Sequence, residues 1–373
     1  MHAPSLAFDV SGRLLCLRKR MQAEGVDAFL ALRSVSVEYL TGFDGIRDEE
    51  DPHAVLVTAD EALFLTDSRY TEVAQRQVEA PGCPFRLDDP KGKSIPKDLS
   101  ELWPLASFAR IAVEDTVSQR TYAGLSETLS TALIPAKDWI EDLRRVKDAA
   151  ELERIAAAQA ITDRAFTAIC DYLQVGQSEA EVALELEYIL RKLGADALAF
   201  PSIVASGANG SLPHAVPGER RIAAGDFVTL DFGAAYKGYC SDMTRTVCVG
   251  GEPSDEQRLV YATVRAAQEA ALAFMKDGAS GFEVDKAARE IIEAAGYGEY
   301  FGHGTGHGVG LAIHELPSAS PRSVEALLQN EVITCEPGIY IPGKLGCRIE
   351  DMVAIESDGV RNFTTSPKEL LVV

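Results

Sequence analysis

Apolar residues in the first third of the chain switch between two spacings. Over residues 11–24 they recur at helical intervals, and Asp27–Leu32 is a short apolar run of strand length. Ala54–Thr58 and Ala62–Leu65 read as paired strands, and Ser68–Val78 returns to the helical interval. Short strands mixed with helices predict a small α/β domain over residues 1–134. The stretch Pro135–Lys147, PAKDWIEDLRRVK, turns to charged and chain-breaking residues. It is the expected linker to a second domain at 148–373.

That second domain opens with helical patterns at Ala149–Leu173 and Glu179–Leu193, and Ser178 with Glu181 has the form of a capping box. Strand-like runs follow at Phe227–Phe232 and Thr244–Val249, joined through Tyr236-Lys237-Gly238. The same order then recurs. Helices at Asp255–Lys276, with Ser254 and Gln257 at its start, and at Val284–Ala295 precede strands at Val332–Ile341 and Cys347–Ile355. An α+β domain is predicted in which a helix–helix–hairpin unit is duplicated in element order, not in residue identity.

A length of 373 residues exceeds one ordinary core, and 46% hydrophobic with 25% charged residues is globular composition. The formal charge of −21 argues against a nucleic-acid partner, which needs clustered Lys and Arg. No apolar run approaches the roughly 18 residues of a membrane span. The N-terminus, MHAPSLAFDVSGRLLCLRKR, lacks the pattern of a signal peptide, so a cytoplasmic protein without membrane association is expected. The seven cysteines are scattered with no C-x-x-C, which reads as reduced thiols.

The two hairpins carry the candidate chemistry. With the first centred on Tyr236–Lys237, Asp231 faces Asp242; with the second centred on Gly343, Glu336 faces Glu350. Opposed carboxylates in apolar strands repel unless a cation lies between them, so divalent metal is the natural complement. Five glycines fall within Gly302–Gly310, and His303, His307 and His314 cluster there out of six histidines in the chain. Four carboxylates and one imidazole form a hard, oxygen-rich set suited to Mn²⁺ or Co²⁺, with Fe²⁺ and Zn²⁺ left open.

The runs LDFG, SDMTRT, GHGTGHGVGLAIHE, CEPGIY and RIED resemble the pita-bread metallopeptidases, the group of aminopeptidase P, prolidase and methionine aminopeptidase. EYLTGFDG at Glu38–Gly45 and LFLTDSRY at Leu63–Tyr70 resemble the creatinase-type N-terminal domain of the first two. The resemblance implies a pita-bread catalytic domain, two metal ions on Asp231, Asp242, His307, Glu336 and Glu350, and hydrolysis of the Xaa-Pro bond. It further implies that Glu336 shuttles the proton, that His214 closes over substrate, and that His303 and His314 bind substrate and transition state. Arg348 is implied as the residue that orients a ligand carboxylate, a plain cross-strand ion pair being the alternative. A homodimer is implied as well.

Two choices stay open at this level. Prolidases of this length tend to place an arginine after HE-x-P to hold a dipeptide's carboxylate; here Ser318 stands in that place, with Arg322 further on. Aminopeptidase P-like cleavage of longer proline-containing peptides is therefore favoured over prolidase activity. Some relatives of this fold only bind proteins, and the retention of all five ligands favours an enzyme over such a module.

Overall fold

A computed structural model of the protein describes residues 8–43, 53–80, 82–102, 108–129 and 131–373. Asp44 and Gly45 of the EYLTGFDG motif lie outside them. The chain divides into two compact units, one covering Ala7–Arg144 and the other Arg145–Val373.

In the first unit a six-stranded sheet has the order 86–88, 62–65, 54–58, 28–31, 110–114, 132–136. Strand Ala28–Ala31 runs antiparallel to Ala54–Thr58 and parallel to Arg110–Glu114, so the sheet is mixed. Every residue of the three apolar strands 28–31, 54–58 and 62–65 is buried, as expected of strands covered on both faces. The sequence patterns found these strands, but not those at 86–88, 110–114 and 132–136.

The segment expected as a linker is structured. Ala132–Ala136 forms the last strand, and helix Trp139–Arg145 buries Trp139 and Ile140, with the Trp139 ring stacked 5.7 Å from that of Phe29. Two buried apolar residues in a seven-residue helix with four charged ones are enough for it to find the core.

The second unit contains the duplication. Helices Ala149–Tyr172 and Glu179–Lys192 both begin with complete capping boxes, Asp148 with Glu151 and Ser178 with Glu181. Asp255–Phe274, capped by Ser254 and Gln257, and Gly281–Ala294 are their counterparts. The first pair packs Phe166 and Leu186 onto Val228, Leu230 and Phe232 of strand Asp226–Phe232. The second packs Val264, Ala271 and Ile292 onto Ile333, Ile349 and Val353.

Alternation then decides what the opposite faces hold. Strand residues point to either side in turn, so if 228, 230 and 232 meet helices, 229 and 231 point away from them. These inward positions and their neighbours are Thr229, Asp231, Thr244 and Thr246, and across from them Thr334, Glu336, Arg348 and Glu350. All are polar. The Thr244 hydroxyl donates to Glu350 at 2.7 Å, and the Thr246 hydroxyl donates to the Arg348 carbonyl at 3.0 Å.

The first hairpin differs by one residue from the expected register. Its turn is Lys237-Gly238, both with positive φ (48° and 83°), the geometry favoured in two-residue hairpin loops. Asp231 therefore lies opposite Thr244, not Asp242. Asp242 is two residues from Thr244 and so stays on the same side, diagonal to Asp231. The second hairpin is symmetric about Gly343 as expected, with Gly338 opposite Arg348 and Cys335 opposite Asp351. Each of its arms is interrupted near the acids, giving strands 332–335, 338–341, 345–348 and 351–356 in place of two long ones.

Candidate active site

The polar inner faces close around a cavity of about 490 Å³. Asp231, Asp242, His307, Glu336 and Glu350 all line it, together with His214, His303, His314 and Arg348. Phe200, Ile203, Val216 and Ile313 give it apolar walls. A few convergent polar groups in an apolar cleft of this size suit a small ligand or a chain end.

Strand Gly306–Gly308 delivers His307 between Glu315–Ala319 and Val332–Cys335. The flanking glycines are required by close backbone approach. A Cβ on Gly306 would sit 2.0 Å from the Thr334 carbonyl oxygen, and one on Gly308 2.2 Å from that of Leu316. The His307 amide donates to the Thr334 hydroxyl at 3.1 Å, and that hydroxyl donates to Glu336 Oε1 at 3.2 Å.

Burial holds the His307 imidazole below its usual pKa, so the ring is neutral near pH 7. Its Nδ1 lies 3.1 Å from the Gly308 carbonyl, which can only accept, and so carries the hydrogen. Nε2 is left as a bare lone pair, 3.5 Å from Asp242 Oδ2 and 3.4 Å from Glu336 Oε1. A lone pair facing two carboxylates is repulsive without a cation. Ligand atoms of Asp242, His307 and Glu350 lie within 4.8 Å of one another, and Asp231 Oδ1 is buried with no hydrogen-bond partner.

The acids register the same conflict. Burial, then Glu350 and Asp231, push the Asp242 carboxyl well above its ordinary range. Burial, then Glu336 and Asp231, do the same to Glu350, and burial raises Glu336. These residues fit divalent metal, whose charge would allow the whole group to ionise.

Arg348 braces this cluster. Its guanidinium donates to Asp231 Oδ2 at 2.5 Å, to the Thr244 hydroxyl at 2.9 Å, to the Tyr340 hydroxyl at 2.7 Å and to the Pro213 carbonyl at 3.4 Å. Tyr340 is a site residue that the sequence patterns missed, although it closes the CEPGIY run. His303 Nδ1 lies 2.8 Å from the Gly304 carbonyl and therefore donates, leaving Nε2 to accept from the Tyr340 hydroxyl at 2.8 Å. Both ring nitrogens of His303 are thus engaged, and burial lowers its pKa. The His314 ring stands edge-on to that of His307, with centroids 4.3 Å apart, and burial lowers its pKa too. His214 is exposed on the cavity wall.

Comparison with known proteins bears on what such a site belongs to. The sequence pattern of Metallopeptidase family M24 matches residues 153–357, and that of the Creatinase/Prolidase N-terminal domain matches residues 13–146. An uncharacterized peptidase of Bacillus subtilis, YqhT, is 42% identical over 96% of this chain and 99% of its own length. The solved Xaa-Pro dipeptidase of Bacillus anthracis is 40% identical, with a TM-score of 0.91 over 98% of this chain and all of that one. The X-Pro aminopeptidase of Thermotoga maritima is 38% identical, with a TM-score of 0.86 over 95% of this chain and all of that one. The chain belongs to the pita-bread metallopeptidases of family M24, and it is an enzyme of that kind with a creatinase-type N-terminal domain.

Proposed function

We propose that this enzyme removes the N-terminal residue from peptides whose second residue is proline. In this reading Asp231, Asp242, His307, Glu336 and Glu350 hold two divalent ions, Mn²⁺ first among the candidates. When bound, such ions lower the pKa of water toward neutrality and polarise a carbonyl. The chain's own residues do the rest. Glu336 takes a proton from the attacking water and returns it to the proline nitrogen as the bond breaks. His314 faces the cavity and supports the oxyanion that develops on the scissile carbonyl. His303, with Nε2 committed to Tyr340, binds substrate as part of the wall, and His214 approaches from the opposite side. Arg348 fixes the angle of Asp231.

One observation carries the choice of a longer peptide over a dipeptide. A dipeptide's carboxylate calls for a free guanidinium or ammonium group. Among the described residues lining the cavity, Arg348 is the one arginine or lysine, and its donors are committed to Asp231, Thr244, Tyr340 and Pro213. Neither Ser318 nor Arg322 lines the cavity; the Ser318 hydroxyl pairs instead with that of Ser323 at 2.8 Å. Most of the similar proteins named for an activity are Xaa-Pro dipeptidases, which supports Xaa-Pro dipeptidase as the second reading.

The deciding experiment compares Mn²⁺-dependent hydrolysis of an Xaa-Pro dipeptide and the matching Xaa-Pro-Yaa tripeptide, with chelated enzyme as control. The tripeptide should be cleaved; cleavage of the dipeptide alone would establish the second reading. The proposal extends to a cytoplasmic homodimer. All seven cysteines are free, which suits a reducing compartment, and among the described residues no helix is long and apolar enough to cross a membrane. Sedimentation of the purified enzyme tests the dimer.

A further inference from the structure

The loop that carries His214 has two feet, and one buried side chain holds both. Glu179, at the start of helix Glu179–Lys192, is fully buried. Its Oε1 accepts from the Ser206 amide and the Ser206 hydroxyl, each at 2.7 Å. Oε2 accepts from the Gly218 amide at 3.3 Å, and the Asn209 side-chain amide donates to both oxygens, at 3.2 and 3.0 Å. Ser206 precedes and Gly218 follows the segment 207–217, whose far part, Pro213–Pro217, lines the cavity.

That far part has few ties of its own. Its Ala215 amide donates back to the Leu212 carbonyl at 3.1 Å, and Arg348 reaches the Pro213 carbonyl at 3.4 Å. Leu212 and Val216 are exposed, Val216 at 84%. Where the loop meets the second hairpin, a Cβ on Gly346 would come within 1.7 Å of the Gly210 carbonyl oxygen, and the Gly343 amide donates to the Ser211 hydroxyl at 3.3 Å. Both contacts precede Leu212, so they hold the near part of the loop and not Pro213–Pro217. The angle at which Pro213–Pro217 stands over the cavity is therefore set at the feet, where a carboxylate collects backbone and side-chain donors from both ends.

We infer that Glu179 is a positioning residue for substrate binding, acting through the His214 loop and touching neither substrate nor metal ligands. This rests on the reading of His214 as a substrate-binding residue. Every group facing Glu179 is a donor, so only an acceptor on both oxygens satisfies them. Glu179→Gln keeps the shape and turns one acceptor into an NH₂ that must face donors. The feet keep their backbone bonds, Ser206 in the sheet and Gly218 to the Ala180 amide, but lose their shared tie, and His214 shifts from its place.

The test uses the full-length, Mn²⁺-loaded enzyme and whichever of the two proline peptides it cleaves. Glu179→Gln should lower kcat/KM by about 10–100-fold, the scale of a misplaced binding group, mainly through KM and with metal content unchanged. In a His214→Ala background the same substitution should cost less than about threefold, because the two act through one contact. Amide exchange across 207–217 should quicken in Glu179→Gln. Equal losses in both backgrounds, or unchanged exchange, would overturn the inference. A His214→Ala enzyme with undiminished kcat/KM would instead overturn the reading of His214 beneath it. If Glu179→Gln does not accumulate, Asn209→Ala removes one donor from the same carboxylate and is judged by the same three measures.

Discussion

Arg348 and Asp231 meet at 2.5 Å in the interior, although they come from different halves of the duplicated domain. Strand Asp226–Phe232 supplies the acid, and strand Leu345–Arg348 the base. The second oxygen of Asp231 has no protein partner. One oxygen is thus held by the guanidinium while the other is left to the cavity, where it would be free to coordinate a metal ion.

Arg348→Lys tests that division of labour. An ammonium cannot serve Asp231, Thr244 and Tyr340 at their present angles, because it lacks the planar fork. Affinity for Mn²⁺, measured by competition with a chelator, should fall about 10–100-fold, as expected for loss of an outer partner. Undiminished affinity would reduce Arg348 to a cross-strand ion pair.

Glu336→Ala should abolish turnover of the cleaved peptide. The loss expected of a proton-transfer group is roughly 10²–10⁴-fold, and removal of a ligand adds to it. Metal content of the variant is measured alongside. Retained turnover in a metal-loaded variant would remove Glu336 from the mechanism.

Metal-free enzyme should lose stability as pH rises. Burial and mutual repulsion raise the carboxyls of Asp242, Glu336 and Glu350 in the folded protein. Below the unfolded pKa both states are protonated and the acids make no difference. Above it the unfolded chain ionises while the native one keeps its protons, so stability falls with pH. Metal reverses the balance by displacing those protons. The gain in Tm on adding Mn²⁺ to chelated enzyme should therefore widen as pH rises above the ordinary carboxylate range. A gain independent of pH would mean that these acids do not receive the ion.

Gly306 and Gly302 offer a paired test of the glycine-rich segment. Gly306→Ala drives a Cβ into the Thr334 carbonyl, whereas nothing lies within 4 Å of the position a Cβ would take on Gly302. Overpacking typically costs about 1–3 kcal/mol, which in a unit of this size lowers Tm by about 2–4 °C per kcal/mol. Gly306→Ala should show that fall together with weaker metal binding through His307. Gly302→Ala should melt like the parent, and equal behaviour of the two would count against the close approach.

The sequence carried the site further than it carried the fold. Asp231 and Glu336 stand out because each follows an apolar strand run, and Asp242 and Glu350 because a hairpin register was expected to set them opposite those two. The threonines at 244, 246 and 334 obey the same alternation but look like ordinary strand residues, so their part in aligning the ligands was hidden. Asp231 was matched with Asp242 because the turn was centred one residue early; only the positive φ of Lys237 reveals the true centre. Tyr340 was invisible as a site residue since its role depends on two partners separated from it in sequence, His303 and Arg348, that meet it only in the fold. Strand Gly306–Gly308 was concealed for another reason: glycine has no side chain to show a period.

The alternation of helix-facing and cavity-facing positions makes the candidate ligands into register marks. A slip of one residue in strand Asp226–Phe232 would carry Leu230 toward the metals and Asp231 into the helices. A slip in Asp351–Glu356 and the residues before it would exchange Glu350 for Ile349. Misaligned pairing would thus bury a carboxylate in hydrocarbon and lose the metal in a single stroke. The acids proposed to carry the chemistry would thus also penalise misregistered pairing of the sheets that hold them.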